Sequence, residues 1–311
     1  EISCSLVGSE MCIRDRTIAK HQSISRAADE LYVTQSALNQ QLLKLEREMG
    51  SPLFIRIRNH WELTEIGKLY VENGKKILTI KQETYKQIQD LSRHWNSSIA
   101  IGLTPERGIQ MFTAIYEDIH KKYPDTVFLP IEASVDSQVK MMDSNRLDLG
   151  FHTISDHKYK HFTYEHILWE PFYLCVPKTH PLAHSLSNTD EKYPFLSLAE
   201  CKNDVFSLVK KTSTMRSIIN LLFEKAGFSP QVMFESDSMR TLRHLAANGR
   251  CLTIIPRCYA TKREDVSYFS LGDNATWELC AVYPKNTYLT LAARDFISMA
   301  SAYWKTHLYI E

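Results

Sequence analysis

The stretch Ser23–Thr64, SISRAADELYVTQSALNQQLLKLEREMGSPLFIRIRNHWELT, decides how this chain is read. Ile24, Ala27, Ala28 and Leu31 recur at i, i+3, i+4 and i+7, the spacing of one buried helix face. Ser23 or Ser25 can cap its first turn by accepting a hydrogen bond from a free backbone N–H. Thr34 can cap a second helix in the same way. Leu38, Leu42, Leu45 and Met49 give that helix an apolar stripe, and Gly50 with Pro52 ends it.

Two short helices joined by a tight turn make a helix-turn-helix, and the second carries an amide- and hydroxyl-rich outer face. Gln35, Ser36, Asn39, Gln40 and Lys44 lie on that face, with Thr34 at its start and Ser25 and Arg26 at the start of the first helix. Such a surface suits the major groove, where side-chain amides pair with adenine edges. Leu53 and Phe54 then anchor a short hairpin whose Arg56 and Arg58 would reach phosphates or the minor groove. An ordinary helical hairpin with a solvated outer face shares the pattern, so periodicity alone leaves that alternative open.

The wording of the stretch adds to the pattern. Ser23, Ala27-Ala28, Leu31, Gln35-Ser36-Ala37-Leu38, Gln40 or Gln41, Leu45-Glu46, Gly50, Leu53-Phe54, Arg56, Leu63-Thr64 and Gly67 keep a fixed spacing. In this the chain resembles the LysR-type transcriptional regulators. Asn39 stands where that family usually has Ser on the recognition helix, so no operator sequence carries over.

Length and composition agree with a multidomain globular protein. The chain has 311 residues, 44% hydrophobic and 23% charged, enough for two or three domains with their own cores. No run approaches the ~18 apolar residues of a membrane span, and a soluble cytoplasmic protein is expected. The net charge of +1 lacks the basic surplus usual in nucleic-acid binders. From Thr17 to Thr64 six Lys/Arg stand against five Asp/Glu. Seven cysteines form no C-x-x-C pair, which argues for reduced thiols. Cys201, Cys251 and Cys258 are expected to be buried and inert. No metal ligand set and no cofactor motif is present. The absence of G-x-S-x-G, H-E-x-x-H and P-loop sequences argues against an enzyme.

Residues 1–16, EISCSLVGSEMCIRDR, read as foreign to the rest. Arg14, Asp15 and Arg16 stand where the family's first helix buries large apolar side chains, and a charged run fills that core only at a steep desolvation cost. A non-native N-terminus is expected there, with a divergent first helix as the alternative.

A winged helix-turn-helix is therefore expected over 17–64. From Thr64, a helix cap, to about Trp95 there is no proline, and Ile77, Ile80, Thr84, Ile88, Leu91 and Trp95 recur with a helical period. A helix of about 30 residues spans roughly 45 Å, too long to pack on one small head. A linker and dimerisation helix over 65–96 is the role the resemblance implies, with Asn73 and Thr84 interrupting the stripe.

Beyond the hinge at His94–Ser98 the pattern becomes α/β. Strands are expected at Ile99–Leu103, Val127–Ile131 and Leu147–Phe151, and helices at Gly108–Tyr123 and Ser137–Ser144. Such alternation implies a mostly parallel sheet with helices on both faces. Phe172–Ala183 opens a second α/β unit, and Gly249-Arg250-Cys251 replaces the family's G-x-G. The resemblance implies a periplasmic-binding-protein-like effector domain over 97–311. Its subdomain I is expected at about 97–163 and 268–311, and subdomain II at about 164–267.

The same resemblance, together with the rule that ligands gather at strand carboxyl ends near helix N-termini, gives effector-binding candidates. In subdomain I they are Thr104, Ser134, Asp136, His152 and Thr153. In subdomain II they are Ser213, Thr214, Ser238 and Met239. Hydroxyls and free helix N–H groups suit a small carboxylate.

The expected protein is a regulator of double-stranded DNA transcription switched by a small effector. Closure of the cleft would shift an equilibrium between two arrangements of a homo-oligomer, a dimer and by family a tetramer, with RNA polymerase a candidate further partner and no membrane partner. A transport-type small-molecule binding protein without working DNA recognition is the alternative, and it leaves Ser23–Thr64 unexplained.

Overall fold

The computed structural model describes residues 14–15, 17–57, 60–91, 97–185, 193–261, 264–285 and 287–307. The chain divides into two compact units, Glu1–Arg93 and His94–Glu311. Arg58, Trp95 and the first thirteen residues lie outside the described residues.

In the N-terminal unit a first helix, α1, covers residues 17–21, followed by α2 (Ile24–Glu30) and α3 (Gln35–Met49). Ser23 caps α2 by accepting from Arg26 N at 3.4 Å, and Thr34 caps α3 by accepting from Ala37 N at 3.2 Å. Gly50 ends α3 in the left-handed region (φ 68°), where a residue without Cβ carries no steric cost. Ile18, Ile24, Ala27, Ala28, Leu38, Leu42, Leu45, Leu53 and Phe54 form one core.

Met49 departs from the expected stripe and is 47% exposed. The chain reverses at Gly50 and brings Leu53 and Phe54 into the core in its place. Glu46 fixes that reversal, its Oε1 accepting from the backbone N–H of Leu53 (2.7 Å) and Phe54 (3.1 Å).

A hairpin of β1 (Phe54–Ile57) and β2 (His60–Leu63) forms the wing. Thr64 then caps the long helix α4 (Glu65–Leu91), accepting from Gly67 N at 2.9 Å. Along α4, Ile77, Ile80 and Ile88 are exposed, so the periodic stripe finds no cover within its own unit.

The C-terminal unit is built on strands β3 (Ser97–Leu103), β4 (Thr126–Glu132), β5 (Leu149–Ile154), β6 (Phe162–Pro177), β7 (Val205–Val209), β8 (Gln231–Ser236), β9 (Leu252–Pro256), β10 (Val266–Ser270) and β11 (Thr276–Pro284). Their order is β4-β3-β5-β11-β6-β9-β7-β8, with β10 also on β6. The helices are α5 (Arg107–Lys122), α6 (Val135–Asp143), α7 (Leu182–Ser185), α8 (Thr214–Lys225), α9 (Met239–Ala247) and α10 (Leu291–Thr306).

The sheet is mixed rather than mostly parallel. Parallel trios β4-β3-β5 and β9-β7-β8 lie at its two ends, and antiparallel β11, β6 and β10 lie between them. Pro130 is accommodated because β4 is an edge strand, where a missing N–H breaks no ladder bond.

Two further differences have local causes. Leu147 and Asp148 precede β5 instead of opening it, and Asp148 Oδ2 accepts from Ala100 N at 2.8 Å. The strand expected from Phe172 begins ten residues earlier, at Phe162. β6 pairs with β11 over Phe162–Pro171 and then with β9 and β10 beyond Phe172. It therefore runs through both halves of the unit. Phe296 and Trp304 of α10 fill the core of the first half, around Met111, Phe128 and Phe151. Phe172, Phe206 and Phe223 centre the core of the second half.

Candidate nucleic-acid interface and effector cleft

Concave small-ligand sites commonly run to about 300–1,000 Å³. On the head, one of 730 Å³ is lined by Ser25, Thr34, Gln35, Ser36, Asn39 and Arg56, together with Ser23, Ile24 and Trp61. The start of α2, the start of α3 and β1 thus bring six of the expected DNA-binding residues to one place. Ser25 Oγ donates to Gln35 Oε1 at 2.9 Å, and the Thr34 and Ser36 hydroxyls lie 3.2 Å apart. These bonds hold Gln35 and Ser36 toward the opening.

Arg26, Gln40 and Lys44 are exposed but do not line that concavity. Lys44 lies 3.9 Å from Glu48 on its own helix. Trp61, which sequence reasoning did not single out, packs edge-on against Phe54 and donates its backbone N–H to Gln22 O at 2.9 Å. It ties the wing to the helix-turn-helix.

In the C-terminal unit the expected effector-binding residues sit at strand and helix ends. Ser134 caps α6 and Ser238 caps α9, accepting from Ser137 N (3.4 Å) and Thr241 N (3.3 Å). Ser213 precedes α8 without a side-chain cap bond, which leaves its hydroxyl uncommitted to the helix. Asp136 lies in the first turn of α6, and Thr214 opens α8. Met239 and Thr153 are buried.

His152 is 1% exposed, its Nε2 has no hydrogen-bond partner among the described residues, and burial holds its pKa down at about 4. Its ring lies under α6 beside Gly150 and Gln138. The imidazole is therefore neutral at physiological pH.

Elements of the two halves meet where these residues stand. α8 lies against β5. Glu106, two residues after Thr104, faces Arg240, two residues after Ser238, with Oε2 and Nε 3.7 Å apart. Glu106 holds an unusual backbone, φ 58° and ψ −74°, at the N-terminus of α5. This pair brings the chain after Thr104 close to the start of α9 at Ser238–Met239, whereas His152 is buried inside the first half.

A buried charged cluster that the sequence did not reveal lies next to Glu106 in the chain. Arg107 Nη1 pairs with Glu170 Oε2, both residues buried. Glu170 also accepts from Cys258 N (3.0 Å) and Trp277 Nε1 (2.6 Å). The four residues join α5, β6, β11 and the turn after β9. The three hydrogen bonds to the Glu170 carboxylate offset much of the cost of taking its charge from water.

The five described cysteines form no disulfide with one another and are buried. Burial pushes the Cys201 thiol up to about 12 and raises Cys251 and Cys258, so none is a ready thiolate. Among the described residues no cluster could hold a metal ion and no helix is long and apolar enough to cross a membrane.

A base-reading head followed by a two-part α/β cleft domain defines a ligand-responsive DNA-binding regulator. The bacterial regulatory helix-turn-helix model of the lysR family matches residues 16–68, and the LysR substrate binding domain model matches residues 92–305. The chain belongs to the LysR family of DNA-binding transcriptional regulators with an effector-binding domain.

Among its relatives is the uncharacterized HTH-type transcriptional regulator YcgK of Bacillus subtilis, 26% identical over 91% of this chain and 90% of that protein. The transcriptional dual regulator GltC of the same organism is 25% identical over 90% and 91%. A full-length OxyR variant from Pseudomonas aeruginosa superposes with a TM-score of 0.62 at 19% identity, covering 95% and 93%. HinK, a LysR family transcriptional regulator from Pseudomonas aeruginosa, does so at 0.55 and 18%, covering 94% and 97%. At these identities the structural likeness concerns the fold.

Proposed function

We propose that Gln35, Ser36 and Asn39 read base edges in the major groove while Arg56, with Ser25 and Thr34, contacts the backbone. The observation that carries this reading is the convergence of these six side chains on one concavity of the head. Amides and hydroxyls fit base edges, and a guanidinium fits a phosphate. Arg26, Gln40, Lys44 and Arg58 extend the interface along the duplex. Their modest charge is offset by pairing of two chains through the exposed Ile77, Ile80 and Ile88 stripe of α4. The assembly is a dimer or a dimer of dimers, working on DNA in the cytoplasm with RNA polymerase as a further partner.

In the C-terminal unit the effector is a small carboxylate held between the halves. Thr104, Ser134, Asp136 and Thr153 stand on one side and Ser213, Thr214, Ser238 and Met239 on the other. The uncommitted Ser213 hydroxyl and the free N–H groups of α8 support an anionic ligand. His152 contributes from behind, as a neutral buried group. Binding closes the cleft and shifts the oligomer between two arrangements.

The test is selection of genomic fragments at about 150 mM salt. The chain should retain a dyad-symmetric site, and Gln35→Ala with Asn39→Ala should weaken that site by about 1–3 kcal/mol for each base interaction removed. An unchanged site preference in the double variant would remove both residues from readout. Failure of a folded dimer to select any DNA would favour the ligand-binding alternative.

A further inference from the structure

β6 presents different chemistry on its two faces. Glu170 points to Arg107, whereas Trp169, Pro171 and Tyr173 alternate onto the opposite face. There they line a groove of about 590 Å³ together with Tyr193, Asp273 and Thr276. Tyr173 and Tyr193 stack with centroids 4.3 Å apart, forming one wall. Trp169 is 59% exposed and forms another.

The polar groups of the groove divide into used and unused. Thr276 Oγ1 donates to Glu170 O at 2.8 Å, and Ser270 Oγ accepts from Gly272 N at 3.2 Å. Gly272 (φ 84°) turns the chain so that Asp273 is carried at the rim, exposed. Asp273 is the single charged residue of the lining, and among the described residues it makes no ion pair or hydrogen bond. What remains for recognition is a set of aromatic faces and one carboxylate. Both attract positive charge, the rings through their quadrupole and the acid directly. An anion is disfavoured here, which separates this groove from a site for a small carboxylate.

We propose that the Trp169–Tyr173–Tyr193–Asp273 groove is a second ligand site, which takes an organic cation of the alkylammonium class. The size of the groove admits a substituted ammonium with room for a further small group. The site lies on the strands β6 and β11 that pass between the two halves of the unit.

The experiment is calorimetric titration of the full chain with choline and, separately, with its uncharged isostere 3,3-dimethyl-1-butanol. Choline should bind saturably in the millimolar range or tighter, and the isostere about tenfold or more weakly. Asp273→Asn and Trp169→Leu, both exposed positions, should each weaken choline by about tenfold with the far-UV dichroism and melting temperature unchanged. Equal binding of choline and isostere would make the groove a plain apolar surface and overturn the proposal. So would affinity unaltered by both substitutions, or no saturable choline binding.

Discussion

The Arg107 guanidinium and the Glu170 carboxylate form an ion pair with both residues buried, between the first turn of α5 and the strand that runs through both halves of the effector domain. Glu170 is shared further with Cys258 N and Trp277 Nε1. Removing the carboxylate strands a cation and two donors at once. Glu170→Ala should destabilise the C-terminal unit by about 3–5 kcal/mol. The double replacement Arg107→Met with Glu170→Met should recover a large part of that loss, because no unpaired charge is left. Urea unfolding of the three proteins decides it, and a double variant no more stable than Glu170→Ala would show that the pair itself is the stabiliser.

Asp15 makes the head's stability pH-dependent. It is 3% exposed with Oδ2 unpartnered, and burial, helped by Glu46, lifts its pKa from 3.8 to about 7. A raised carboxyl pKa means the folded head binds more protons than the unfolded chain between about pH 4 and pH 7. This contribution therefore makes the head more stable as pH falls through that window and least stable above it. At pH 8, Asp15→Leu should stabilise it by about 2–4 kcal/mol. Hydrogen exchange of α2 and α3 amides in the full chain reports this directly. Equal protection of both proteins at pH 8 would refute it.

Gly67 is where α4 leaves the wing. A Cβ there would lie 2.0 Å from Leu53 O, a backbone atom that cannot swing aside and that also accepts from Thr64 N at 3.0 Å. Gly67→Ala should cost about 1–3 kcal/mol of head stability despite Ala's better helix propensity. Thermal unfolding followed in the head, for example through Trp61, would show a lower midpoint. A raised midpoint would mean that α4 shifts freely.

Arg56 and the pair Gln35/Asn39 should fail differently. Arg56→Ala should weaken specific and nonspecific DNA alike and lower the salt-dependence slope by about 1. Gln35→Ala should relax base preference and leave the slope unchanged. Fluorescence anisotropy across a salt series on cognate and scrambled duplexes separates the two behaviours.

The head was legible because its signals are local. Thr34, Gly50 and the Leu38-Leu42-Leu45 stripe act within a few residues of where they stand, so spacing alone locates them. Met49 misleads because its burial depended on where the chain went after Gly50. In the C-terminal unit, the apolar run suggested a strand that starts at Phe172, just after Pro171. The structure instead keeps β6 continuous there, against β11, with Pro171 opposite Thr276. The Arg107–Glu170 pair bridges 63 residues, and nothing in either local sequence announces its partner. Ser134 and Ser238 were legible as residues near strand and helix ends, whereas α6 begins at Val135, two residues before the expected Ser137, and both hydroxyls are engaged as helix caps. His152 was legible as a residue near a strand end, but its burial under α6 beside Gln138 depends on packing that the local sequence does not announce.

The order in which a ribosome releases these elements follows from the path of β6. β5 is completed on one side by β11, paired Ile154 to Glu278, and the core beneath it needs Phe296 and Trp304 of α10. Both arrive more than a hundred residues after β5 has been synthesised. The second half, whose core runs from Phe172 to Trp277, is complete before α10 emerges. During translation the nascent chain therefore carries a finished lobe flanked by an open, apolar β3–β5 sheet, which is the interval in which holdase chaperones have something to bind. A stop codon anywhere before α10 would leave that surface permanently uncovered while the DNA-reading head is already made.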